Sequence, residues 1–524
     1  MRKLRVLDVT LRDGGIVNNF QFGEKNMKTI LKAIEDSKID FIELGYLEKN
    51  TGTERGRTQF INETVIPKYF LTNKKPGVTY SVMFDYGKFD VDDLGYRQEN
   101  GIDAIRFAFH KRNLYDVKPI YEKLIQKGYD VYMQPMVTLH YNDDELEELV
   151  KLANSLDIKG MYFVDTFGQM RQPDIKRLAY YFDDKLRKDL TLGFHSHNNI
   201  QMAYANTITF MQLDMDRNRM FDSSIMGMGR GAGNCDTELV LQHMNIYYGE
   251  SYVIPPLLNV MDTILSKIKA KYPWGYSVEY YLSSLNDCSP IYANHYYKKH
   301  MLPVEQINEL LSMIEGEKRI SFSKDYAEEK YREYNAKTPY DDSDTIEKLK
   351  KLIFNKNILV IAPGKSIKSQ REKVEKVVNN VDLTITLNFA TNYSDFVFFS
   401  RQDAFLKSDE SDIKRIVVSN VCNESKDNIF IIDYLKWITI DDETRDTAGF
   451  LILKLLSKLE AKTIKLAGFD GFTSDINENY FDDSLSRAVS VDQRLEKNKV
   501  FSDYISSLRN DVNIEFITKS IYDV

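Results

Sequence analysis

The chain has 524 residues, 43% hydrophobic and 28% charged, with 25 glycines and 12 prolines. These are the proportions of a globular protein with a sizeable core, and they exclude collagen-like and low-complexity character. Lys plus Arg number 70 against 78 Asp plus Glu, a net charge of −8 without long basic runs, which argues against general nucleic-acid binding. At roughly 150 residues per domain, two or three domains are expected.

The cysteines, Cys235, Cys288 and Cys422, stand far apart with no C-x-x-C pair. A disulfide scaffold and a thiolate zinc site are therefore not expected, and a reducing compartment fits. No apolar run approaches the ~18 residues of a membrane helix. Met1-Arg-Lys-Leu-Arg-Val-Leu-Asp-Val-Thr10 turns directly into a strand and lacks the apolar stretch of a signal peptide. The expected location is cytoplasmic.

From residue 1 to about 265, short β-rich runs alternate with amphipathic helical stretches such as Lys25 to Asp36 and Asp144 to Leu156. The runs are Arg5 to Thr10, Phe41 to Tyr46, Tyr80 to Phe84, Ala104 to Phe109, Val131 to Val137, Met161 to Asp165, Leu192 to His195 and Ser223 to Met226. Several are nearly continuous in apolar residues, as strands covered on both faces should be. Eight strand–helix units in about 250 residues is the count of a TIM (β/α)8 barrel, with a doubly wound open sheet as the competing reading. Residues 266–335 turn helical and Tyr-rich, predicting a helical extension packed on the barrel. Residues 336–356 read as a charged linker, and 357–524 as a smaller Rossmann-like α/β domain. The overall class is α/β.

The first strand ends in Val9-Thr-Leu-Arg-Asp-Gly-Gly15. Residues just past a barrel strand's C-terminal end line the active site, which puts Arg12 and Asp13 side by side at that rim. Arg-Asp-Gly is also a common turn. The seventh strand ends in Gly193-Phe-His-Ser-His-Asn198, where His195 and His197 share a face at a spacing that grips one metal. Packing is the alternative role for the pair. The other histidines, His110, His140, His243, His295 and His300, lie singly and read as structural.

After the eighth strand comes Met226-Gly-Met-Gly-Arg-Gly-Ala-Gly-Asn-Cys-Asp-Thr-Glu238, whose glycines allow backbone to approach a ligand closely. Asn234 ends this loop where a helix should begin, so an N-cap is its alternative role. Strands one, seven and eight are neighbours once a barrel closes, and Asp13, His195, His197 and Asn234 then converge. One carboxylate and two imidazoles with open positions suit Mn²⁺ or Mg²⁺ foremost, then Co²⁺ or Fe²⁺; Zn²⁺ is less natural for so oxygen-rich a set.

Thr10-Leu-Arg-Asp-Gly14, Gly193-Phe-His-Ser-His197 and Gly229-Arg-Gly-Ala-Gly-Asn234 resemble the three signatures of the DRE-TIM metallolyases. That superfamily includes 4-hydroxy-2-oxovalerate aldolase, HMG-CoA lyase, isopropylmalate synthase and pyruvate carboxyltransferases. The resemblance covers residues 1 to about 310. It implies a divalent metal on Asp13, His195 and His197, with Asn234 as a fourth ligand or near neighbour, and it matches the signature acid to Glu43. The implied chemistry is a 2-oxo acid enolate that attacks, or is expelled from, an aldehyde or other carbonyl partner, with Arg12 stabilising the enolate oxygen. Asp165 and Thr166 match an Asp-Thr pair that lines such substrate cavities, strand-end hydrogen bonding being the alternative.

Departures narrow the branch. Ile16 and Val17 stand where oxovalerate aldolases carry a His, so their acid–base residue is missing. Gly15-Ile16 replaces the Glu-Gln of isopropylmalate-type synthases, no Cys precedes Asn234 in the loop as in HMG-CoA lyase, and no biotinyl Met-Lys-Met site is present. The stretch Pro273-Trp-Gly-Tyr-Ser277 is similar to the aldolase extension, so the aldolase branch fits best. His110, Tyr276 and Tyr280 are the candidates for proton transfer.

In the C-terminal region Ala362-Pro-Gly-Lys-Ser366 tempts toward a P-loop, but Leu359 stands where the Walker pattern needs Gly. A tight strand–turn–helix near a phosphate remains compatible. Arg445-Asp-Thr-Ala-Gly449 and Leu466-Ala-Gly-Phe-Asp-Gly-Phe472 loosely resemble the nucleotide-binding fold of some bacterial sialyltransferases, which implies a nucleotide-sugar; docking or dimerisation is the alternative. The leading expectation is a metal-dependent aldolase acting on a small 2-oxo acid and an aldehyde. The alternatives are an acyl-CoA-dependent Claisen condensation, or a non-catalytic barrel with a nucleotide-sugar-binding C-terminal domain. A homo-oligomer is compatible with all three.

Overall fold

The structure, a computed structural model, describes residues 4–49, 51, 55–299, 302–336, 340–408, 413–422, 424, 426–437, 447–475, 478–482, 485 and 491–523. It divides into two compact units, Met1–Pro290 and Ile291–Val524.

The first unit is built on eight parallel strands: β1 (Leu4–Asp8), β2 (Phe41–Leu47), β3 (Thr79–Asp85), β4 (Ala104–Phe109), β5 (Asp130–Pro135), β6 (Gly160–Asp165), β7 (Thr191–Ser196) and β8 (Arg219–Ser223). Their order is β1-β8-β7-β6-β5-β4-β3-β2, and β2 closes the ring on β1 through Leu7–Phe41 and Asp8–Ile42. This is the TIM barrel expected from strand count, and it excludes the open sheet for this unit. The eighth strand was placed four residues too late by its apolar run. It is Arg219–Ser223, and the Ile225–Gly227 stretch forms a single tight turn after it.

Alternation along each strand sorts side chains between two cores. Leu7, Phe41, Ala104, Tyr132, Tyr162 and Met220 fill the barrel interior. On β4, Arg106 shares the inward face with Ala104 and Ala108, whose small side chains leave room for its guanidinium over the Tyr162 ring at 4.6 Å. The outward residues Ile105 and Phe107 join the larger core beneath the helices. There Phe163 stacks on Phe194 at 4.7 Å and meets Phe210 edge-on at 5.2 Å. Truncating one such ring costs about 3–5 kcal/mol.

Helices follow most strands. Asp143–Ser155 starts where the sequence says it should: Asn142 and Glu145 exchange side-chain-to-backbone hydrogen bonds of 2.9 Å, a capping box that satisfies two end N–H groups. Between β3 and β4 only the turn Val91–Asp93 appears. Beyond the barrel, Val278–Leu285 and the residues around it seal the carboxyl-terminal rim. Trp274 Nε1 donates to Met226 O at 3.0 Å, Ser284 Oγ to Phe167 O at 3.1 Å, and His140 Nε2 lies 2.8 Å from Asp287 Oδ1. These contacts tie down the loops after β8, β6 and β5.

The division at Pro290 falls between the expected boundaries at 265 and 335. The helix Lys324–Ala336 belongs to the second unit, where the Tyr331 and Tyr434 hydroxyls bond at 2.6 Å. The expected linker, 336–356, contains the helix Ser343–Ile353, whose Leu349 and Ile353 are buried. Asp344, Glu347, Lys348, Lys350 and Lys351 cover the other faces, which is why it read as solvated. Asp342, before that helix, accepts from Asp433 N at 2.9 Å and from Lys436 Nζ at 2.5 Å.

The second unit carries a parallel sheet of β9 (Asn357–Ile361), β10 (Leu383–Leu387), β11 (Phe396–Phe399), β12 (Lys414–Val418), β13 (Ile429–Ile432), β14 (Thr463–Ala467) and β15 (Asn513–Phe516). The order β13-β12-β11-β10-β9-β14-β15 reverses direction between β9 and β14, as in doubly wound folds. At that point Asp470 accepts from Ser366 N at 2.8 Å, occupying the N–H that a phosphate at the Ala362–Ser366 turn would use. Arg445 and Asp446 lie outside the described residues. Among the described residues no helix is long and apolar enough to cross a membrane.

Candidate metal centre

The rim residues converge as their strand positions require. Asp13 stands in the turn after β1, His195 on β7, and His197 just beyond it. One donor atom from each lies within 4.8 Å of the others, and all three side chains are buried. The two imidazoles meet edge to face, 5.0 Å between centres. Asn234 closes the group: its Nδ2 donates to Asp13 Oδ2 at 2.8 Å and to Met228 O at 3.1 Å. Its buried Oδ1 has no partner.

Glycine is required where this loop crosses the site. A side chain at Gly229 would run into the Asn234 amide and the Asp13 carboxylate. Gly233, at φ +90°, adopts a backbone conformation unfavourable to other residues.

A second layer of charge lies beneath. Arg12 donates Nη1 to Asp13 and Nε to Glu43, both at 2.6 Å, while its buried Nη2 has no partner. Glu43 Oε2 also accepts from Arg106 Nη1 at 2.9 Å. Arg106 Nη2 donates to Asp222, and Asp222 Oδ2 lies 2.7 Å from His195 Nδ1. Burial alone would raise the Asp13 carboxyl, but the Arg12 guanidinium holds it far below the usual range. Burial pushes the His197 pKa down to about 3, so its ring is neutral and keeps a free lone pair. Two guanidiniums face three carboxylates, Asp13, Glu43 and Asp222. That surplus of negative charge, the neutral imidazole and the orphaned Asn234 oxygen fit a divalent cation.

The site opens into a cleft of about 240 Å³ whose walls include Tyr46, Met83, Asp85, Met136, Thr166 and Arg230. Of the expected Asp165–Thr166 pair, only Thr166 lines it, with its hydroxyl accepting Val137 N–H at 2.7 Å. The Asp165 carboxylate is turned into its own loop, accepting Gln169 N–H at 2.9 Å and Met170 N–H at 3.1 Å. His110 sits at the end of β4 but outside the cleft lining, and Tyr276 is 56% exposed. Tyr280 lies against Gly231. Sequence reasoning missed Arg106, Asp222, Tyr46 and Asp85.

A closed parallel barrel with a buried Asp–His–His cluster at its carboxyl rim defines a candidate metal centre on a TIM-barrel scaffold. A family model described as HMGL-like matches residues 112–262. Oxaloacetate decarboxylase from Mycobacterium tuberculosis is 28% identical over 241 residues, covering 45% of this chain and 68% of that protein. 4-Hydroxy-2-oxovalerate aldolase 2 from Comamonas testosteroni is 28% identical over 247 residues, covering 46% and 68%. Among solved structures, the N-terminal domain of a candidate aldolase from Bacteroides vulgatus matches with a TM-score of 0.50 and 25% identity, covering 56% of this chain and 96% of that one. Through its barrel the chain is similar to HMGL-like enzymes, in keeping with the resemblance of its three rim motifs to those of the DRE-TIM metallolyases.

Proposed function

We propose that the barrel makes or breaks a carbon–carbon bond beside the carbonyl of a pyruvate-type 2-oxo acid, with an aldehyde as the carbonyl partner. The observation that carries this reading is the unpartnered Arg12 Nη2, buried in the same cleft as the three converging donors. The names of the similar enzymes, oxaloacetate decarboxylase and 4-hydroxy-2-oxovalerate aldolase, denote substrates that are themselves 2-oxo acids.

Asp13, His195 and His197 would hold the metal, Mn²⁺ or Mg²⁺, with Asn234 Oδ1 beside them. When bound, it would polarise the ketone of the 2-oxo acid and acidify the adjacent C–H. Arg12 is locked by Glu43 and Asp13 through two of its nitrogens, so the third is a preorganised donor for negative charge developing on the enolate oxygen. Ile16, Met83, Met136 and Val164 supply apolar wall that keeps water from competing. The reading includes a cytoplasmic setting, in keeping with Cys235, Cys288 and Cys422 as thiols rather than disulfides.

Exchange of pyruvate methyl protons with deuterated water, followed by NMR with Mg²⁺ and after chelation, tests the reading. Metal-dependent exchange is expected. Exchange that survives exhaustive chelation removes the metal role, and absence of exchange with several 2-oxo acids favours acyl-CoA substrates.

A further inference from the structure

Arg12 and the metal donors manage charge, but none of them gives the substrate proton a destination. Ile16, in the region where the resemblance leads one to expect a His, lines the cleft as an apolar group. The remaining lining groups narrow quickly. Glu48 is bonded to Gln59 and lies 3.4 Å from Lys88 Nζ. The Thr166 hydroxyl already accepts from Val137 and is a poor base. Among the described residues Asp85 makes no ion pair, which sets it apart from the other carboxylates of the cleft.

We propose that Asp85, working with Tyr46, is the proton acceptor of this cleft, an inference that rests on the enolisation reading above. Asp85 ends β3 and Tyr46 stands near the end of the adjacent β2, so both reach the carboxyl rim. The Tyr46 ring stacks on Phe20 at 6.1 Å between centres, which fixes its hydroxyl. That hydroxyl accepts Asp85 N–H at 3.2 Å, which holds it beside the Asp85 carboxyl. Burial raises the Asp85 pKa; Tyr46, Arg12, Arg230 and Lys88, the groups facing it from the neighbouring strand ends, oppose the rise. A carboxylate moved toward neutrality is a stronger base than an exposed one.

In the step, the C–H bond next to the ketone breaks and its proton passes to an Asp85 oxygen. The electron pair becomes the C=C bond of the enolate, whose negative oxygen lies beside Arg12. When the enolate carbon adds to an aldehyde, the same proton returns through the Tyr46 hydroxyl to the new alkoxide, giving the alcohol.

The test uses the full chain with Mg²⁺ for pyruvate exchange and Mn²⁺ for metal affinity by electron paramagnetic resonance. Asp85→Asn should slow exchange by about 10²–10⁴-fold with little change in KM or Mn²⁺ affinity. Asp85→Glu should recover part of the rate. Tyr46→Phe removes the hydroxyl that lowers the Asp85 pKa, so the acidic limb of the kcat/KM profile should move to higher pH; a purely structural role would not shift it. Wild-type exchange rates in Asp85→Asn, or loss of Mn²⁺ binding together with exchange, overturn the role of Asp85 alone. A wild-type protein that exchanges no 2-oxo acid protons overturns the enolisation reading and this one with it.

Discussion

Asp222 Oδ2 takes the Nδ1 edge of His195 at 2.7 Å and the Arg106 guanidinium on the same oxygen. The contact leaves Nε2 as the free nitrogen of His195. It also completes a chain of alternating charge, Asp13–Arg12–Glu43–Arg106–Asp222–His195, that joins two of the metal donors through the barrel interior. A carboxylate that orients a ligating histidine typically sets metal affinity by about 10–100-fold. Asp222→Asn should therefore weaken Mn²⁺ binding by that order in a calorimetric titration. Unchanged affinity would mean that His195 is held by packing and not by Asp222.

Arg106 is fully buried between Glu43 and Asp222. Arg106→Met keeps much of the volume but leaves two carboxylates in the barrel without their shared cation. Breaking a buried pair by removing one partner costs about 3–5 kcal/mol. Urea unfolding of the variant should show a loss of that order. A loss near zero would mean that water or rearrangement relieves the carboxylates.

Asp8 gives a pH signature that needs no bound metal. It accepts Thr10 N–H at 2.9 Å and the Thr237 hydroxyl at 2.8 Å, yet burial pushes its pKa up to about 6. In the unfolded chain an Asp titrates near ~3.9. Below that value both states are protonated and nothing is lost. As pH rises, the unfolded chain releases its proton first, so the native state is disfavoured until about pH 6. The full effect is roughly 3 kcal/mol. Asp8→Asn should flatten the stability profile between those two values in chelated protein; an unaltered slope would assign the titration to another group.

The site was legible where chemistry sits at strand ends. The Arg12–Asp13 turn, the His195–His197 alternation and the glycines before Asn234 each carry spacing that a barrel converts directly into position. Arg106 and Asp222 were invisible for a physical reason. Each is one charge inside an apolar strand, and which face it occupies is fixed only once register and closure are known. Tyr46 and Asp85 were passed over likewise, since neither forms a pattern with its sequence neighbours. The β8 misplacement has the same origin: Arg219 and Asp222 break the apolar run, while Ile225 and Met226 imitate one. In the second unit Leu383–Leu387, Phe396–Phe399 and Ile429–Ile432 are short β-rich runs flanked by polar residues, and each forms a strand.

Modularity can be tested at the observed boundary. A cut near 338–344 would leave Lys324–Ala336 without the partner that Tyr331 finds in Tyr434. A chain ending at Pro290 keeps every donor of the metal group and the segment that clamps the rim loops. That fragment should be soluble, bind Mn²⁺ and exchange pyruvate protons. A fragment that binds the ion but exchanges nothing would implicate the second unit in catalysis.

Arg12→Lys separates stabilisation of charge from retention of metal. Lysine keeps the positive charge but lacks the planar fork that reaches Asp13 and Glu43 while leaving a third nitrogen unpartnered. Loss of one preorganised donor at a developing oxyanion costs about 10²–10³ in kcat, roughly 3–4 kcal/mol. Binding of the 2-oxo acid depends mainly on its chelation, so KM should change less than kcat. Asp13, His195 and His197 remain in place, so Mn²⁺ affinity should stay close to that of the wild type. The informative comparison is therefore kcat against Mn²⁺ affinity in one preparation. A large fall in the first with the second intact assigns the enolate oxygen to Arg12. If affinity falls in step with kcat, Arg12 acts through its hold on Asp13 and the enolate has another donor.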